Sequence, residues 1–479
     1  MTAPRYPASE LLASLPPEWP EDLSPAIRAE FAAAGRKLFV LDDDPTGTQT
    51  VHGIPVLTVW DVRAVADELL DPAPACYVLT NSRSLASSKA YALVKQVAEN
   101  LRQAAALTGK RFRLFSRSDS TLRGHFPEET DAIAEGLEAT ADVLLLVPCF
   151  FDGGRYTLGD VHYVLEGDRL VPAGETEFAR DPVFGYKASD LRHWLAEKSR
   201  GRIPAHTVHS LKLEEIRRGG PDYVCRELSA APRPSVWIVN AAAVSDLQVV
   251  ALGMLRAERS GLRILCRTAA SFVPVSCGMP PAPLLEAEDF PPEAGAGLVV
   301  VGSFVPRTSQ QLSGLLDGGR FRSMEVDVGE LLDPARRQDL VQRAAAFASE
   351  NLQSGYDTVL YTSRTLITGL DQEHSIAAQK EVSRGLCAIV RALQSRPRFL
   401  VAKGGITASD LATEALGVKR ALVLGQIYPG VPVWRLGPES RYPGMPYIVF
   451  PGNVGTRDAL RATVEKLNRA ALAGGGGTR

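Results

Sequence analysis

Three consecutive carboxylates, Asp42, Asp43 and Asp44, follow directly on the apolar run Lys37–Leu41 and run into Pro45 and Gly47. Like charges on adjacent residues repel, so a chain that keeps them at the end of a strand is expected to set them against cations or hydroxyls. A solvated acidic turn explains an isolated triplet equally well. Two features favour the wall of an active site: Pro45 and Gly47 fix an unusual backbone path, and ligands of open α/β sheets bind at the carboxyl ends of strands. A carboxylate there can accept or orient the proton of an attacking hydroxyl.

Arg83, Arg117, Arg123 and Arg155 also fall just after apolar runs. A single arginine of this kind is usually a surface residue. Four at corresponding positions point to a pocket for a carboxylate or phosphate, which the guanidinium fork matches with two hydrogen bonds. Ser82, Ser120, Thr121 and Gly124 add small donors nearby. In the second half, the run Phe399–Ala402 leads through Lys403-Gly404-Gly405-Ile406-Thr407 into an expected helix Ala408–Leu416 closed by Gly417. Paired glycines let a backbone approach a ligand closely, and Thr407, with Asp410 three residues on, is expected to cap a helix whose free N–H groups face an anion. The plain alternative is a tight turn between strand and helix.

Other motifs are absent or fail on context. No GxxxxGK[ST] or GxSxG occurs, and Gly295-Ala296-Gly297 precedes a strand where a dinucleotide fingerprint would follow one. His206 and His209 read as surface residues, and no metal site is expected from the protein's own side chains.

The elements that must carry these residues follow from periodicity. Strands are expected at Lys37–Leu41, Ile54–Trp60, Cys76–Thr80, Arg111–Phe115, Asp142–Val147, Val236–Asn240 and Leu262–Cys266. The helices between them are Asp61–Leu70, Ser88–Thr108, Pro127–Thr140 and Val244–Arg259. Residues 160–235 look less regular. The proline-rich stretch 273–297 reads as a linker, after which strands recur at Gly297–Val301, Thr358–Thr362 and Arg398–Ala402, with a helix from Thr308. The expected organisation is an N-terminal extension (1–36), an α/β domain (37–272), the linker (273–297), a second α/β domain (298–465) and a flexible tail (466–479). Each domain has a mostly parallel sheet flanked by helices.

With 479 residues, a net charge of −2 (53 basic against 55 acidic), 45% hydrophobic and 23% charged residues, the chain has an ordinary globular composition. It lacks the basic footprint that nucleic acid or anionic lipid requires. Six dispersed cysteines without a CxxC pair, no basic-apolar leader and no run of roughly 18 to 20 apolar residues lead to the expectation of a cytoplasmic protein.

The motifs together carry a resemblance. Asp43-Asp44-Pro45-Thr46-Gly47 resembles a DDxTG motif, and Asp119–Gly124 a DSTxRG motif. The stretch from Gly154-Arg155-Tyr156-Thr157 to Gly159 and His162-Tyr163 resembles GRxTxxGxHY. Gly302-Ser303 with Thr308, Gly404–Thr407, Gly425 with Pro429–Pro432, and Gly452-Asn453-Val454-Gly455 follow in the same order. From about Lys37 to Leu460 the chain is similar to the four-carbon acid sugar kinase family, the tetronate and threonate type of kinase, formerly a domain of unknown function. The resemblance implies an acid-sugar-binding N-terminal domain, an ATP-binding C-terminal domain, an active site in the cleft between them, and transfer of the γ-phosphoryl group to a hydroxyl of a threonate, erythronate or 3-oxo-tetronate type of acid. ATP and Mg2+ would be the cofactors, and homo-oligomerisation stays open.

It also implies catalytic roles for Asp43 and Asp44, one held by backbone N–H groups of the Thr46-Gly47 turn and the other meeting the hydroxyl, with Asp42 outside the pair and facing solvent. Substrate contacts fall on Arg83, Arg117, Asp119, Ser120, Thr121, Arg123, Arg155 and His162. Nucleotide contacts fall on Ser303, Gly404, Gly405, Ile406, Thr407, Gly452 and Gly455. The chain departs from the family pattern at His125, Val305, Ile406 and Asn453. A metal-dependent sugar-acid lyase or aldolase and a non-catalytic acid-sugar sensor are the alternatives that the same pocket leaves open.

Overall fold

The computed structural model describes residues 6–319, 321–364 and 372–473, and the chain folds into two compact units. The first comprises residues 1–54 and 59–281; the second comprises 55–58 and 282–479.

Apolar runs buried on both faces build the central sheet of the N-terminal unit. Its strands are β1 (Arg36–Asp42), β2 (Ala75–Leu79), β3 (Arg111–Arg117), β4 (Val143–Val147), β8 (His209–Leu211), β9 (Ser235–Val239) and β10 (Ile264–Thr268). All pair in parallel, in the order β8-β9-β4-β10-β3-β1-β2. The helix Val62–Leu70 is capped by Asp61, whose carboxylate accepts from the amides of Arg63 and Ala64, both at 3.1 Å. The helix Glu128–Gly136 stops short of the expected Thr140, because Glu138 takes a left-handed φ of 53°.

The stretch that looked irregular holds β5 (Arg155–Leu158), β6 (Val161–Glu166) and β7 (Arg169–Pro172). They form a small antiparallel sheet with the two-residue strand Tyr6–Pro7. Strands of four to six residues joined by tight turns are too short to show a clear period. Within the stretch expected to be a separate extension (1–36), the helix Ser24–Ala34 buries Ile27 and Phe31.

The C-terminal unit contains β11 (Leu298–Val301), β12 (Arg322–Val326), β13 (Thr358–Thr362), β14 (Leu400–Lys403), β15 (Arg420–Tyr428), β16 (Val431–Leu436) and β17 (Pro446–Phe450). Their order is β15-β16-β17-β14-β11-β13-β12, antiparallel from β15 to β17 and parallel thereafter. Residues 55–58, which precede most of the first unit in sequence, belong here: Ile54–Leu57 lies beside β15, and Thr58 donates its amide to Lys419 O at 3.0 Å. The helix Ala459–Ala473 buries Leu467 and Ala470, so the segment expected to be a tail from 466 begins as helix. Residues 474–479, including the glycine run, lie outside the described residues. Among the described residues no helix is long and apolar enough to cross a membrane.

The parallel strands of each unit have a point where their order reverses. In the N-terminal unit the chain passes from β1 to β2 on one side, while β3 lies on the other. In the C-terminal unit β12 and β13 lie on one side of β11 and β14 on the other. A crevice opens beyond the carboxyl ends of the two strands at such a point. Those ends are Asp42 and Arg117 in the first unit, and Val301 and Lys403 in the second, each pair in register.

Candidate active site

At the first crevice the acidic triplet separates into three environments. Asp42 does not face solvent as expected. It is 1% exposed beneath Gly47, where a Cβ would collide with its carboxylate, and Arg117, its register partner, lies 3.2 Å away. Burial pushes its carboxyl up to about 8, against the pull of Arg117. The same contacts take Arg117 out of reach of a ligand. It is 4% exposed, ends a strand instead of lying in a loop, and serves Asp42 and Asp43.

Asp43 is likewise 1% exposed. Its Oδ2 accepts from Ser118 Oγ at 2.7 Å, while Oδ1 lies 3.8 Å from both Arg83 and Arg117 without a hydrogen bond. Burial raises this carboxyl, and the guanidinium groups only partly offset it.

Asp44 is the member that a ligand can reach, with 21% of its side chain exposed. It opens the short helical turn Pro45–Thr50 and accepts from Thr46 N at 2.8 Å and Thr46 Oγ1 at 2.5 Å, so the backbone-held carboxylate is Asp44. Burial alone would raise its pKa. Arg83 and the two bonds from Thr46 outweigh that and leave it below the ordinary carboxylate value, ionised at neutral pH.

From Asp44 a run of charge crosses the strand ends. Arg83, in the turn Ser82–Ser84 after β2, lies 2.5 Å from Asp44 Oδ2 and 3.6 Å from Asp119 Oδ1. Asp119 accepts from Arg123 Nε at 2.7 Å and from Thr121 Oγ1; despite its burial, Arg123 and Arg83 hold it well below the usual carboxylate range. The guanidinium groups of Arg123 and Arg155 both lie over the ring of Phe178, at 5.2 and 5.7 Å. Arg123 also lies 3.6 Å from Asp181. Arg155 donates to Gly153 O, and its buried Nε has no partner.

His162, expected to touch substrate, is closed off from solvent. It is 0% exposed, accepts at Nδ1 from Thr157 Oγ1 at 3.0 Å and donates from Nε2 to Ser120 O at 2.8 Å. A carbonyl can only accept, so the proton resides on Nε2. Burial lowers its pKa to about 4, which keeps the ring neutral. It positions the Ser120-Thr121 loop from behind.

Several supporting residues escaped the sequence reading. Arg267, the penultimate residue of β10, donates to Ser116 Oγ at 2.5 Å and pairs with Glu129; Glu129 in turn accepts from Ser82 Oγ at 2.5 Å. Arg267 directly follows the apolar run Leu262–Cys266, so the rule that singled out the other arginines applies to it equally. His125 bonds Ser82 O at 3.1 Å and Leu85 O at 3.0 Å, steadying the turn that carries Arg83. Phe178 carried no signal beyond being aromatic.

At the second crevice the ends of β11, β14 and β17 are tied together. Ser303 N donates to Lys403 O at 3.2 Å and Gly404 N to Phe450 O at 2.8 Å. Thr308 Oγ1 reaches Gly452 O at 2.9 Å and Ser303 Oγ at 3.1 Å, and Gln311 Nε2 reaches Val454 O at 2.8 Å and Thr456 O at 2.9 Å. Gly404 takes φ 122°, and a Cβ on it would stand 2.9 Å from Ser303 Cβ, so only glycine allows this approach. The helix starts at Gly405 with Gly404 as its N-cap. Thr407 therefore lies in the first turn instead of capping it. By helix geometry the amides of Gly405, Ile406 and Thr407 have no intrahelical acceptor. Ile406 is 44% exposed beside them, and Gly455, at φ 89°, shapes the third loop.

Two parallel-sheet crevices, one walled by arginines and carboxylates and the other by glycine turns, define a two-unit α/β protein with a separate strand-end site in each unit. Comparison with known proteins assigns the class more narrowly. The profile of a sugar-binding N-terminal domain matches residues 38–275, and that of a nucleotide-binding C-terminal domain matches residues 298–460. The chain is 30% identical over 441 residues to D-threonate kinase of Bordetella bronchiseptica, covering 89% of this chain and 96% of that one. It is 28% identical over 410 residues to D-erythronate kinase of Heliobacterium modesticaldum (81% and 86% covered), and 28% identical over 414 residues to 3-oxo-tetronate kinase of Methylobacterium radiotolerans (82% and 91%). Crystal structures from Salmonella typhimurium LT2 and Haemophilus influenzae share the fold. Their TM-scores are 0.63 and 0.61 at 15% and 17% identity, covering 89% and 90% of this chain and 98% and 100% of theirs. The chain belongs to the four-carbon acid sugar kinase family.

Proposed function

We propose that the protein is an ATP-dependent kinase that phosphorylates a hydroxyl of a four-carbon acid sugar of the threonate, erythronate or 3-oxo-tetronate type. The observation that carries this reading is the continuous run Asp44, Arg83, Asp119, Arg123, Arg155 at the N-terminal crevice. It presents an ionised carboxylate at one end and, at the other, a guanidinium with an unpartnered buried N–H. A carboxylate that accepts from a hydroxyl and a guanidinium that binds a carboxylate are the groups a hydroxy acid calls for.

In this reading Arg155, with the outer N–H groups of Arg123, binds the acid's carboxylate. Asp44 accepts the hydroxyl's hydrogen bond and draws its proton as the oxygen attacks phosphorus; Asp43, tied to Ser118 beneath it, and Arg83 fix its position. Asp119, held by Thr121 and Arg123, stands between Asp44 and Arg155 in the run.

The C-terminal crevice suits a polyphosphate, because free helix-start amides and close-packed glycines surround Ser303. Ser303, Gly404–Thr407, Gly452 and Gly455 would hold it. Magnesium would be carried mainly by phosphate oxygens and water. Bound MgATP supplies the phosphoryl group and the charge neutralisation; the protein supplies position and proton handling.

The test is a coupled ADP-release assay with D-threonate, D-erythronate and 3-oxo-tetronates in the presence of magnesium. At least one acid is expected to raise ADP release about a hundredfold or more over the acid-free rate. No acid-dependent release from a panel of four-carbon acids of all stereochemistries would reject the assignment.

A further inference from the structure

One buried cation takes no part in this chemistry. Lys403 ends β14, immediately before Gly404, and is 0% exposed. Its ammonium donates to the carbonyls of Pro451 and Gly452, the latter at 3.2 Å, and lies 4.3 Å from the centroid of the Phe450 ring.

Among the described residues its charged neighbours are cations. Arg307, from the helix Pro306–Leu316, is the charged group whose field reaches it, and that charge has the same sign. Arg364, two residues beyond β13, turns its guanidinium to Ser303 O at 2.6 Å and Thr362 O at 2.7 Å. No carboxylate lies within ion-pair distance of Lys403 among the described residues. A buried ammonium with carbonyl partners but no counter-ion is costly, and an anion bound nearby removes that cost.

We propose that Lys403 is a positioning residue for the nucleotide: its ammonium locks the Gly404-Gly405 turn to the 451–452 turn and takes its missing counter-charge from the polyphosphate those turns bind. The proposal rests on the nucleotide reading of the C-terminal unit.

A proton-linked affinity follows. In the free protein, burial and then Arg307 lower the amine's pKa to about 7, so above that pH the neutral form predominates. Polyphosphate favours the charged form. Binding above pH 7 therefore takes up a proton and weakens as pH rises.

The experiment is calorimetric titration of the full chain with MgADP at pH 8, where the phosphates are already ionised, in Tris and in HEPES. The difference in heat between buffers is expected to show uptake of between roughly one half and one proton per nucleotide. Lys403→Met is expected to bind MgADP about tenfold or more weakly at pH 7. It should show no uptake and a flat affinity between pH 7 and 9, with an unchanged KM for the acid.

Nucleotide binding by the wild type with no proton uptake overturns the proposal alone, as does a Lys403→Met variant with wild-type affinity and pH profile. A wild type that fails to bind MgADP overturns the nucleotide reading and this proposal together. Should Lys403→Met not fold, the two-buffer measurement on the wild type decides.

Discussion

Arg83 and Asp44 form a 2.5 Å ion pair between the turns that follow β2 and β1, and the other arm of the same guanidinium lies 3.6 Å from Asp119. One planar fork thus spaces two carboxylates that like-charge repulsion would drive apart. An ammonium is a point charge and cannot span both. Arg83→Lys is therefore expected to fold and bind nucleotide normally, yet lose about ten- to a hundredfold in kcat/KM for the acid. Steady-state kinetics with the acid varied at saturating ATP check this, and an unchanged kcat/KM would make the bridge dispensable.

The exposure of the acidic residues ranks their contributions. Asp44→Asn keeps the shape but removes the ionised acceptor, and kcat should fall about 10² or more, the scale of a lost general base. Asp42 is buried, but with its carboxyl pushed up to about 8 its amide resembles the native charge state at pH 7, so Asp42→Asn should stay within roughly threefold of wild-type kcat. The sign of its pH effect is set by a folded pKa above the unfolded value. Its contribution to stability is full in acid and is lost as pH rises toward 8, so the Tm of Asp42→Asn should gain on wild type between pH 5 and 8.5. A constant Tm difference would show that Asp42 is ionised throughout.

Arg155 is the arginine of the run whose guanidinium meets a carbonyl and a ring but no carboxylate within ion-pair distance, among the described residues. Arg155→Met should raise KM for the acid by about tenfold or more with a smaller change in kcat, and Arg155→Lys should recover only part of it. Equal turnover of the acid and the matching uncharged sugar alcohol would remove carboxylate reading from this residue.

His162 gives a prediction about stability. Its folded pKa of about 4 lies below the unfolded value, so its contribution is present above about pH 6.5 and is lost as pH falls toward 4. His162→Gln should lower stability at pH 7 by about 1–3 kcal/mol through the lost bonds to Thr157 and Ser120, and flatten the fall in Tm between pH 6.5 and 4. An acid limb as steep as that of wild type would move the proton uptake to another group.

Much of this was legible from periodicity and punctuation. Apolar runs such as Asp142–Val147 and Thr358–Thr362 announce strands, and strand ends then place Asp44, Arg83 and Gly404 where ligands bind in such sheets. What sequence could not supply was depth. Asp42, Asp43 and Asp44 are identical side chains in a row, and their differences arise from register with Arg117, from Gly47 lying against one carboxylate and from Thr46 bonding another. His162 matched a motif, but a motif does not distinguish a group that touches a ligand from one that holds the loop behind it. The helix cap at Gly404 was misplaced for a related reason: a φ of 122° depends on how closely Ser303 approaches, a contact about a hundred residues away in sequence. Lys403 gave no warning, because a lysine at a strand end reads as solvated until burial is known.

Residues 55–58 complete a unit whose remainder is translated more than two hundred residues later. During synthesis this short segment must wait, unpaired, for Lys419 and its neighbours to emerge from the ribosome, so the C-terminal unit closes only after long-range loop formation. A gene cut at the proline-rich stretch would deliver a C-terminal fragment with the outer side of β15 bare, an open edge of the kind that drives self-association.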